Sequence, residues 1–317
     1  MPQFPPDLSD LSLDDWQNRL FAVGSERGFA EQLDPRHSAV FVENGDVLLV
    51  SFENQNALTA VSQTNTPFGL DIAADQNWSS LSMLSRGDTW FRASSVYAFF
   101  DKISDDGLLD RFSQVIFFGN GPAAYAACAY SVAAPGCKVL ALQPQATLDP
   151  RYSGWDDRFL EQRAMNFSAR YGYAPDMLEA AKRAYVLFDP RQRLDAMHAA
   201  LFRRQNVTRY ELPFQGPALQ IELQQMGLLG PLLRAVVDDT LEATDFAAMI
   251  RPARREHFPY LRRVISYLEQ TERTEMAYNL CAYVAAKDNA IWFQRKLTKL
   301  TQDNKTPEEL TGKSEAS

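Results

Sequence analysis

Residues 117–127, FFGNGPAAYAA, join an apolar run to a stretch rich in alanine. The run at 114–118 predicts a buried strand, and the stretch at 123–134 predicts a helix. Gly119 and Gly121 lie between them and allow the backbone to turn sharply. A strand, a tight turn and a helix in this order form the repeating unit of a parallel α/β sheet.

Short β-type runs alternate with helical segments on both sides of this turn. Strands are expected at residues 39–42, 47–52, 81–84, 114–118, 138–142, 184–188 and 207–212. Helices are expected at residues 96–103, 123–134, 175–183, 191–202 and from residue 218 onward. The alternation predicts a three-layer α/β sandwich, with a mainly parallel sheet covered on both faces. The turn signal Asn44-Gly45-Asp46 favours a hairpin of the first two strands.

The expected organisation has three parts. Residues 1–240 form the α/β domain, which begins with an amphipathic helix at about 9–33. Strand signals stop after residue 241, so residues 241–300 are predicted to be a helical extension with helices at 258–271 and 275–300. The polar residues 301–317 are predicted to be a disordered tail. A structural role of the helical extension is one hypothesis for the function.

Composition and charge limit the class of protein. Of the 317 residues, 46% are hydrophobic and 23% are charged, which is usual for a globular chain. The net charge of -8 opposes binding to phosphate backbones, so no nucleic acid partner is expected. The chain shows no signal peptide and no apolar stretch long enough for a membrane span. With three cysteines and no C-x-x-C spacing, a reducing, cytoplasmic location is predicted.

Polar and turn-forming residues follow five of the expected strands. Ligands and catalytic groups in such sheets lie beyond the carboxyl ends of the strands. The five segments are Glu53-Asn54, Gly119-Asn120-Gly121-Pro122, Gln143-Pro144-Gln145, Asp189-Pro190 and Pro213-Phe214-Gln215-Gly216-Pro217. We therefore expect a functional site where these segments meet.

Taken in order, these segments resemble a group of α/β-hydrolase-like proteins associated with bacterial polysaccharide and accessory-secretion systems. In that group the turn after the strand, called the nucleophile elbow, has the form G-x-S-M-G-G-Y-A-A, and the next strand ends in P-Q. A later strand ends in D-P before D-x-x-H-A, and a further strand leads into P-F-x-G-H. The match covers about residues 39–235 and includes Pro144-Gln145, Asp189-Pro190 and Asp195-Ala196-Met197-His198-Ala199. The resemblance implies an α/β-hydrolase-like fold.

The chain departs from this group at the residues that carry the chemistry. Gly121 stands where the group has its nucleophilic serine, and Pro217 stands where it has its histidine. Neither side chain can attack a carbonyl or accept a proton. Asp189 remains as a candidate acid, but an aspartate alone performs no triad role. Pro122 also lacks the N–H that the residue after the nucleophile supplies to the oxyanion hole. We therefore predict a degenerate, catalytically silent triad.

The same segments predict a ligand-binding site. The helix that begins after Pro122 directs backbone N–H groups and a positive dipole end towards the turn, which favours a small anionic ligand. The candidate ligand-binding residues are Asn54, Gly119, Asn120, Gly121, Pro122 and Gln145. A protein partner is the other candidate, and the oligomeric state is left open. No metal site is predicted, and the dinucleotide fingerprint is incomplete, so no cofactor is expected.

An esterase or acyltransferase with relocated catalytic groups is the alternative function. His198 follows Asp195 by three residues on an expected helix, so both side chains lie on one side of it, close to Asp189. Such a pair suits general base catalysis. The competing interpretation is that His198 only satisfies its hydrogen bonds with Asp195 or a backbone carbonyl. His37 is predicted to be a loop residue before the first strand, and the sequence identifies no partner for it.

Overall fold

A computed structural model gives the fold of the chain. It describes residues 5–58, 62, 64–287 and 290–303. The chain divides into two compact units, residues 1–250 and residues 251–317. The first unit contains the sheet, and the second is helical.

The described residues of the first unit form one sheet in the order β1-β2-β4-β3-β5-β6-β7-β8. The strand β2 runs antiparallel to its neighbours β1 and β4, and every other neighbouring pair is parallel. The sheet is therefore mainly parallel, as predicted. The strands are β1 Gly28–Asp34, β2 His37–Val42, β3 Val47–Asn54, β4 Ser79–Ser85, β5 Gln114–Asn120, β6 Lys138–Leu142, β7 Arg183–Phe188 and β8 Val207–Glu211.

The helices account for most of the remaining regular structure. Among the described residues, no helix is both long and apolar enough to cross a membrane. The helices are α1 Leu13–Arg27, α2 Phe68–Gln76, α3 Ser94–Asp105, α4 Pro122–Tyr130, α5 Pro150–Ser153, α6 Ala174–Met177, α7 Arg193–Ala199, α8 Leu219–Gln225, α9 Leu229–Val237, α10 Ala243–Glu256, α11 Phe258–Gln270, α12 Thr274–Ala285 and α13 Ile291–Asp303.

The sheet has a separate hydrophobic core on each face, because side chains alternate in direction along a strand. On β2, Phe41 belongs to the core that contains Tyr130 of α4. Its neighbours Val40 and Val42 belong to the core that contains Leu20 of α1. Both faces of the sheet are therefore covered, which confirms the three layers.

The first predicted helix, at 9–33, is too long. The helix α1 ends at Arg27, and residues 28–34 form the edge strand β1. No residue of β1 is fully buried, so the strand has little of the apolar alternation that reveals a strand in the sequence. Its pairing with β2, which is buried along its whole length, is what fixes β1 as a strand.

The predicted hairpin of β2 and β3 is wrong, because β4 lies between them. The turn at residues 44–46 instead docks on the start of β4, where the N–H groups of Asn44 and Gly45 donate to Ser79 Oγ at 2.9 and 3.2 Å. A Cβ at Gly45 would lie 1.9 Å from the carbonyl oxygen of Asn77. The glycine thus serves a close approach to a distant segment, which the local turn signal does not reveal.

The second unit is a set of packed helices. The single helix expected at 275–300 is two helices, α12 and α13, which share a core around Cys281 and Phe293. Folding back brings these two buried side chains together, whereas one straight helix would hold them about 18 Å apart along its axis. The helix α13 includes residues 301–303 of the predicted tail, and residues 304–317 lie outside the described residues.

Candidate functional site

A cavity of about 360 Å³ lies at the carboxyl ends of β3, β4 and β5, in the first unit. Parallel α/β sheets bind ligands at this edge, so the cavity is where the strand ends predict a site. Its lining comes from the end of β3, the loop after β4, the β5–α4 turn and the segment that enters α8. These residues are Phe52, Glu53, Asn54, Ala57, Leu58, Ser85, Gly87, Asp88, Thr89, Trp90, Phe91, Asn120, Pro122, Ala123, Pro217, Ala218, Gln220 and Ile221.

The β5–α4 turn has a sharply bent backbone at Gly121, with φ 57° and ψ −122°. A Cβ added at Gly121 would have no other heavy atom within 4 Å, so the tip of the turn faces open space. At Gly119, in contrast, a Cβ would lie 2.3 Å from the carbonyl oxygen of Ala123. Gly119 therefore permits the helix to start close to the strand. At Gly121 there is space for a side chain, but the positive φ is a conformation that residues other than glycine rarely adopt.

Both prolines that depart from the family pattern line the cavity. Pro122 is the first residue of α4, where its lack of an N–H leaves no helical hydrogen bond unmade. Pro217 lies on the loop after β8. The structure therefore places two of the altered positions, Pro122 and Pro217, at one cavity and next to the open tip of Gly121.

Asn54 and Asn120, two of the candidate ligand-binding residues, line the cavity. Asn54 Nδ2 donates to Asp88 Oδ1 at 3.2 Å, and Asn54 Oδ1 accepts from the N–H of Asn56 at 3.0 Å. Asn120 Oδ1 is shielded from solvent and has no hydrogen-bond partner. Asn120 therefore has an acceptor that a ligand with a donor group would satisfy.

Glu53 also lines the cavity, although it was not among the candidate ligand-binding residues. Its carboxylate accepts from the N–H groups of Phe68 and Gly69 at 2.6 and 2.9 Å, and from Ser51 Oγ at 2.8 Å. Burial raises the pKa of Glu53, and these three hydrogen bonds oppose the rise. Glu53 thus caps the start of α2 and holds the end of β3 in place.

Gln145 is not one of the residues that line this cavity. It is buried, and its Nε2 donates to the carbonyl oxygen of Gln143 at 3.4 Å. Gln143 has the larger part in the local structure. Its Nε2 donates to Asp195 Oδ2 at 2.7 Å, and its Oε1 accepts from the N–H of Leu219 at 3.0 Å. Gln143 therefore connects the end of β6 to α7 and α8.

Asp189, the candidate acid, holds the loop that carries Pro217. Its Oδ2 accepts from the N–H of Gly216 at 2.7 Å, and its Oδ1 accepts from the N–H of Arg191 at 2.9 Å. Both carboxylate oxygens are occupied by backbone donors, and the residue is 1% exposed. Asp189 thus positions the segment in which the family has its histidine.

His198 is fully buried, and both of its ring nitrogens are occupied. The N–H of Ala146 donates to Nδ1 at 3.2 Å, so the neutral ring has its proton on Nε2, which donates to Asp156 Oδ2 at 2.9 Å. Asp195 or a backbone carbonyl was expected as the partner of His198, but its partners are Asp156 and the N–H of Ala146. The indole ring of Trp155 lies 4.6 Å from the imidazole, centroid to centroid.

Arg158 links Asp195 to the same buried network. Its Nη1 lies 2.7 Å from Asp195 Oδ1, and its Nη2 lies 2.8 Å from Asp156 Oδ2. Burial alone would raise the pKa of Asp156, but the hydrogen bonds from His198 and Arg158 outweigh it and hold that pKa well below its usual range. Neither Asp195 nor His198 lines the cavity. The sequence offered no signal for Asp156 or Arg158, which lie 42 and 37 residues from their partners.

The described residues contain no group of three or more histidine, cysteine or acidic side chains placed to hold a metal ion. Cys128, the nearest cysteine to the elbow in sequence, is fully buried, and burial raises the pKa of its thiol well above the usual range. A thiol with so high a pKa is a poor nucleophile.

No model of a known protein family and no curated protein sequence matches the chain. Among solved structures, an esterase from Pyrobaculum calidifontis is 11% identical, with a TM-score of 0.44, and the match covers 74% of this chain and 96% of that one. The capsule O-acetyltransferase of Neisseria meningitidis serogroup A is 9% identical, with a TM-score of 0.42, covering 66% and 99%. At these identities the likeness concerns the fold alone.

Proposed function

We propose that this protein binds a small ligand in the cavity beside Gly121 and that its elbow is catalytically silent. The observation that supports this is the elbow itself. The backbone keeps the sharp turn between β5 and α4, with open space at its tip, but Gly121 has no side chain and Pro122 has no N–H. A site that keeps its shape and lacks its reacting groups suits binding better than acyl transfer.

The lining favours an uncharged ligand over the small anion that the start of α4 predicts. The charged residues of the lining are Glu53 and Asp88, and both are acidic. Aromatic and aliphatic side chains, among them Phe52, Trp90 and Phe91, form much of the remaining wall. A volume of about 360 Å³ suits a small ligand with an apolar body and few polar groups.

The binding proposal is tested with two probes of equal size that differ in charge, hexanamide and hexanoate. Calorimetric titration is expected to detect hexanamide, with hexanoate at least about 10-fold weaker, because the described residues of the lining include no basic side chain to pair with a carboxylate. Ile221→Trp fills part of the cavity and is expected to abolish binding. Gln225→Trp, on the exposed side of the same helix α8, is the matched control and is expected to bind as the native protein does.

The silent elbow is tested by restoring what it lacks. The triple variant Gly121→Ser, Pro122→Ala and Pro217→His supplies a hydroxyl, an N–H and an imidazole. Because the tip is open, hydrolysis of p-nitrophenyl butyrate is expected to exceed that of the native protein by about 10²-fold. A folded triple variant with the native rate would mean that the elbow backbone, and not only its side chains, is unsuited to catalysis.

The second candidate function is an esterase or acyltransferase with relocated catalytic groups. Asp195 and His198 are poor candidates for this role, because the imidazole is buried and both nitrogens are occupied. A different histidine, His37, has its Nε2 within hydrogen-bond distance of the hydroxyl of Thr89, a residue of the cavity wall. The association with bacterial polysaccharide and secretion systems, the cytoplasmic location and the protein partner stay predictions from the sequence.

A further inference from the structure

His37 lies between a carboxylate and a hydroxyl. Its Nδ1 is 2.8 Å from Asp34 Oδ2, and its Nε2 is 2.9 Å from Thr89 Oγ1. An ionised carboxylate can only accept hydrogen bonds, so Nδ1 donates to Asp34 and Nε2 accepts from the hydroxyl of Thr89. The prediction that His37 is a loop residue is wrong, because it is the first residue of β2, and its two partners could not be identified from the sequence.

The antiparallel pairing of β2 with β4 creates this arrangement. His37 opens β2 and lies opposite Ser85, the last residue of β4. The loop that follows β4 consequently passes beside the imidazole and brings Thr89 to it. Thr89 also lines the cavity, so the residue whose hydroxyl contacts the buried imidazole belongs to the wall of the ligand space.

The hydrogen bonds around Thr89 direct its proton towards His37. The N–H of Phe91 donates to Thr89 Oγ1 at 3.1 Å, so one lone pair of this oxygen is occupied and the O–H is free to point at Nε2. Distances of 2.9 Å from nucleophile to base and 2.8 Å from base to acid lie within hydrogen-bond reach. The three groups thus have the order and spacing that activate a hydroxyl.

The protonation states fit the same role. Burial lowers the pKa of His37 more than Asp34 raises it, so the ring is neutral at pH 7 and ready to accept a proton. Burial alone would raise the pKa of Asp34, but hydrogen bonds from Ser95, the N–H of Arg36 and His37 lower it overall. Asp34 is therefore ionised and can stabilise a protonated His37.

Trp90 follows Thr89 in the loop after β4 and also lines the cavity. Its indole Nε1 is shielded from solvent and has no hydrogen-bond partner, although the residue lines the cavity and is 1% exposed. The backbone is strained at the same place, with φ 48° at Trp90 and 55° at Phe91. Two successive non-glycine residues in this strained region are a feature that clusters at functional sites.

We propose that Thr89, His37 and Asp34 form an acyl-transfer site on the wall of the cavity. Thr89 Oγ1 attacks the carbonyl carbon of a bound ester while its proton passes to His37 Nε2. The bond from the carbonyl carbon to the leaving oxygen then breaks, and His37 returns the proton to that oxygen, which leaves as an alcohol. Water or an acceptor alcohol next gives its proton to His37 and attacks the acyl-threonine, and the proton returns to Thr89.

In this step Thr89 and His37 are the catalytic residues, and Asp34 is a positioning residue that fixes the tautomer of the ring. The substrate class is an uncharged ester with a short apolar acyl chain, because the cavity is small and its charged residues are acidic. The proposal goes beyond ligand binding and rests on it, because the ester must occupy the same cavity. It makes no use of the elbow at Gly121.

The test is acylation of the full chain by p-nitrophenyl butyrate, followed by intact mass and peptide mapping. One butyryl group is expected on Thr89, with matching release of p-nitrophenol. Thr89→Val and His37→Gln are expected to slow this release by about 10²-fold or more, whereas Thr89→Ser keeps it. The matched control is Thr147→Val, a buried threonine whose hydroxyl accepts from the N–H of Asp149 at 3.1 Å and has no imidazole partner.

Thermal melting of every variant shows which of them fold. If Thr89→Val does not fold, the site of the butyryl group in Thr89→Ser and in the native protein still tests the proposal. No acyl adduct, or an adduct on another residue, would overturn the proposal. Titration of the native protein with hexanamide distinguishes failure of the acyl-transfer proposal from failure of the ligand-binding proposal. Binding of hexanamide without acylation would refute the acyl-transfer site alone. Absence of both binding and acylation would refute the proposed ligand binding as well.

Discussion

His37 and His198 are both buried, and each donates one ring N–H to an aspartate, yet they differ in what the second nitrogen meets. At His198 it accepts from the backbone N–H of Ala146, and the ring is covered by Trp155. At His37 it accepts from the hydroxyl of Thr89, a residue that lines the cavity. The group at the second ring nitrogen thus decides whether a histidine–aspartate pair has a structural or a catalytic role. The numbers of histidines and aspartates in a sequence do not reveal that group.

The comparison is tested most strongly at Asp156, which receives hydrogen bonds from both His198 and Arg158. Asp156→Ala leaves the Arg158 charge with one carboxylate fewer and His198 without its acceptor. We expect the free energy of unfolding to fall by about 3–5 kcal/mol, because buried His198 loses its acceptor and Arg158 loses one of its two carboxylate partners. Urea denaturation measures this change. A loss below about 1 kcal/mol would show that the network is not a stabilising element.

The next test is His198→Ala, which removes both hydrogen bonds of the ring. The N–H of Ala146 and the carboxylate of Asp156 each lose a partner, so a loss of about 2–4 kcal/mol in the free energy of unfolding is expected. Acylation by p-nitrophenyl butyrate is expected to stay at the native rate. If a folded His198→Ala protein lost acylation, the relocated catalytic groups would lie at Asp195 and His198 after all.

Asp34→Asn is expected to have the opposite effect to His198→Ala, with a small loss of stability and a large loss of acylation rate. The Asp34 side chain is 23% exposed, so the free energy of unfolding is expected to fall by only about 1 kcal/mol. The acylation rate is expected to fall by about 10²-fold, because a neutral amide neither fixes the tautomer of His37 nor stabilises its protonated form. Stopped-flow release of p-nitrophenol measures the rate, and recovery in Asp34→Glu would separate the carboxylate from a purely structural role.

The smallest effect concerns pH. The groups that face His37 are Asp34, Arg36, Thr89 and the ring of Phe91, and burial sets the net direction by lowering its pKa. The unfolded chain therefore binds a proton near pH 6.5 that the folded chain does not. Its contribution to stability is complete above pH 6.5 and is lost as pH falls through and below that value.

The acylation rate has the same dependence, because only neutral His37 accepts the proton of Thr89. We expect the rate to be constant down to pH 6.5 and to fall only in more acidic solution. In Asp34→Asn the acid limb should move to still lower pH, because the carboxylate that raises the pKa of His37 is gone. An acid limb above pH 6.5 would contradict burial as the dominant cause.

Much of the fold could be predicted from the sequence. Each of the seven predicted strands corresponds to one of β2 to β8, because buried runs such as residues 138–142 carry a continuous apolar signal. The edge strand β1 lacks that signal, and the local turn at residues 44–46 suggested a hairpin that the sheet does not contain. The errors therefore lie where pairing with a distant strand, and not local pattern, decides the structure.

The candidate site was predicted in part for the same reason. Asn54, Asn120 and Pro122 follow strand ends, and the structure brings them to one cavity. Thr89 and Trp90 lie in a loop without a motif and reach the cavity only because β4 ends there. The expected hairpin would have set β3 beside β2, and the true order sets His37 opposite Ser85 instead. The missed strand order is thus also why the partner of His37 was missed.

The sequence by itself determined what the elbow lacks, because a glycine has no hydroxyl and a proline no N–H in any fold. It also determined the alternation of strands and helices, since that pattern is local and repeats along the chain. Only the tertiary structure decided which imidazole meets which hydroxyl. His37 and Thr89 are 52 residues apart, and their contact depends on strand order, which arises from the packing of the whole sheet.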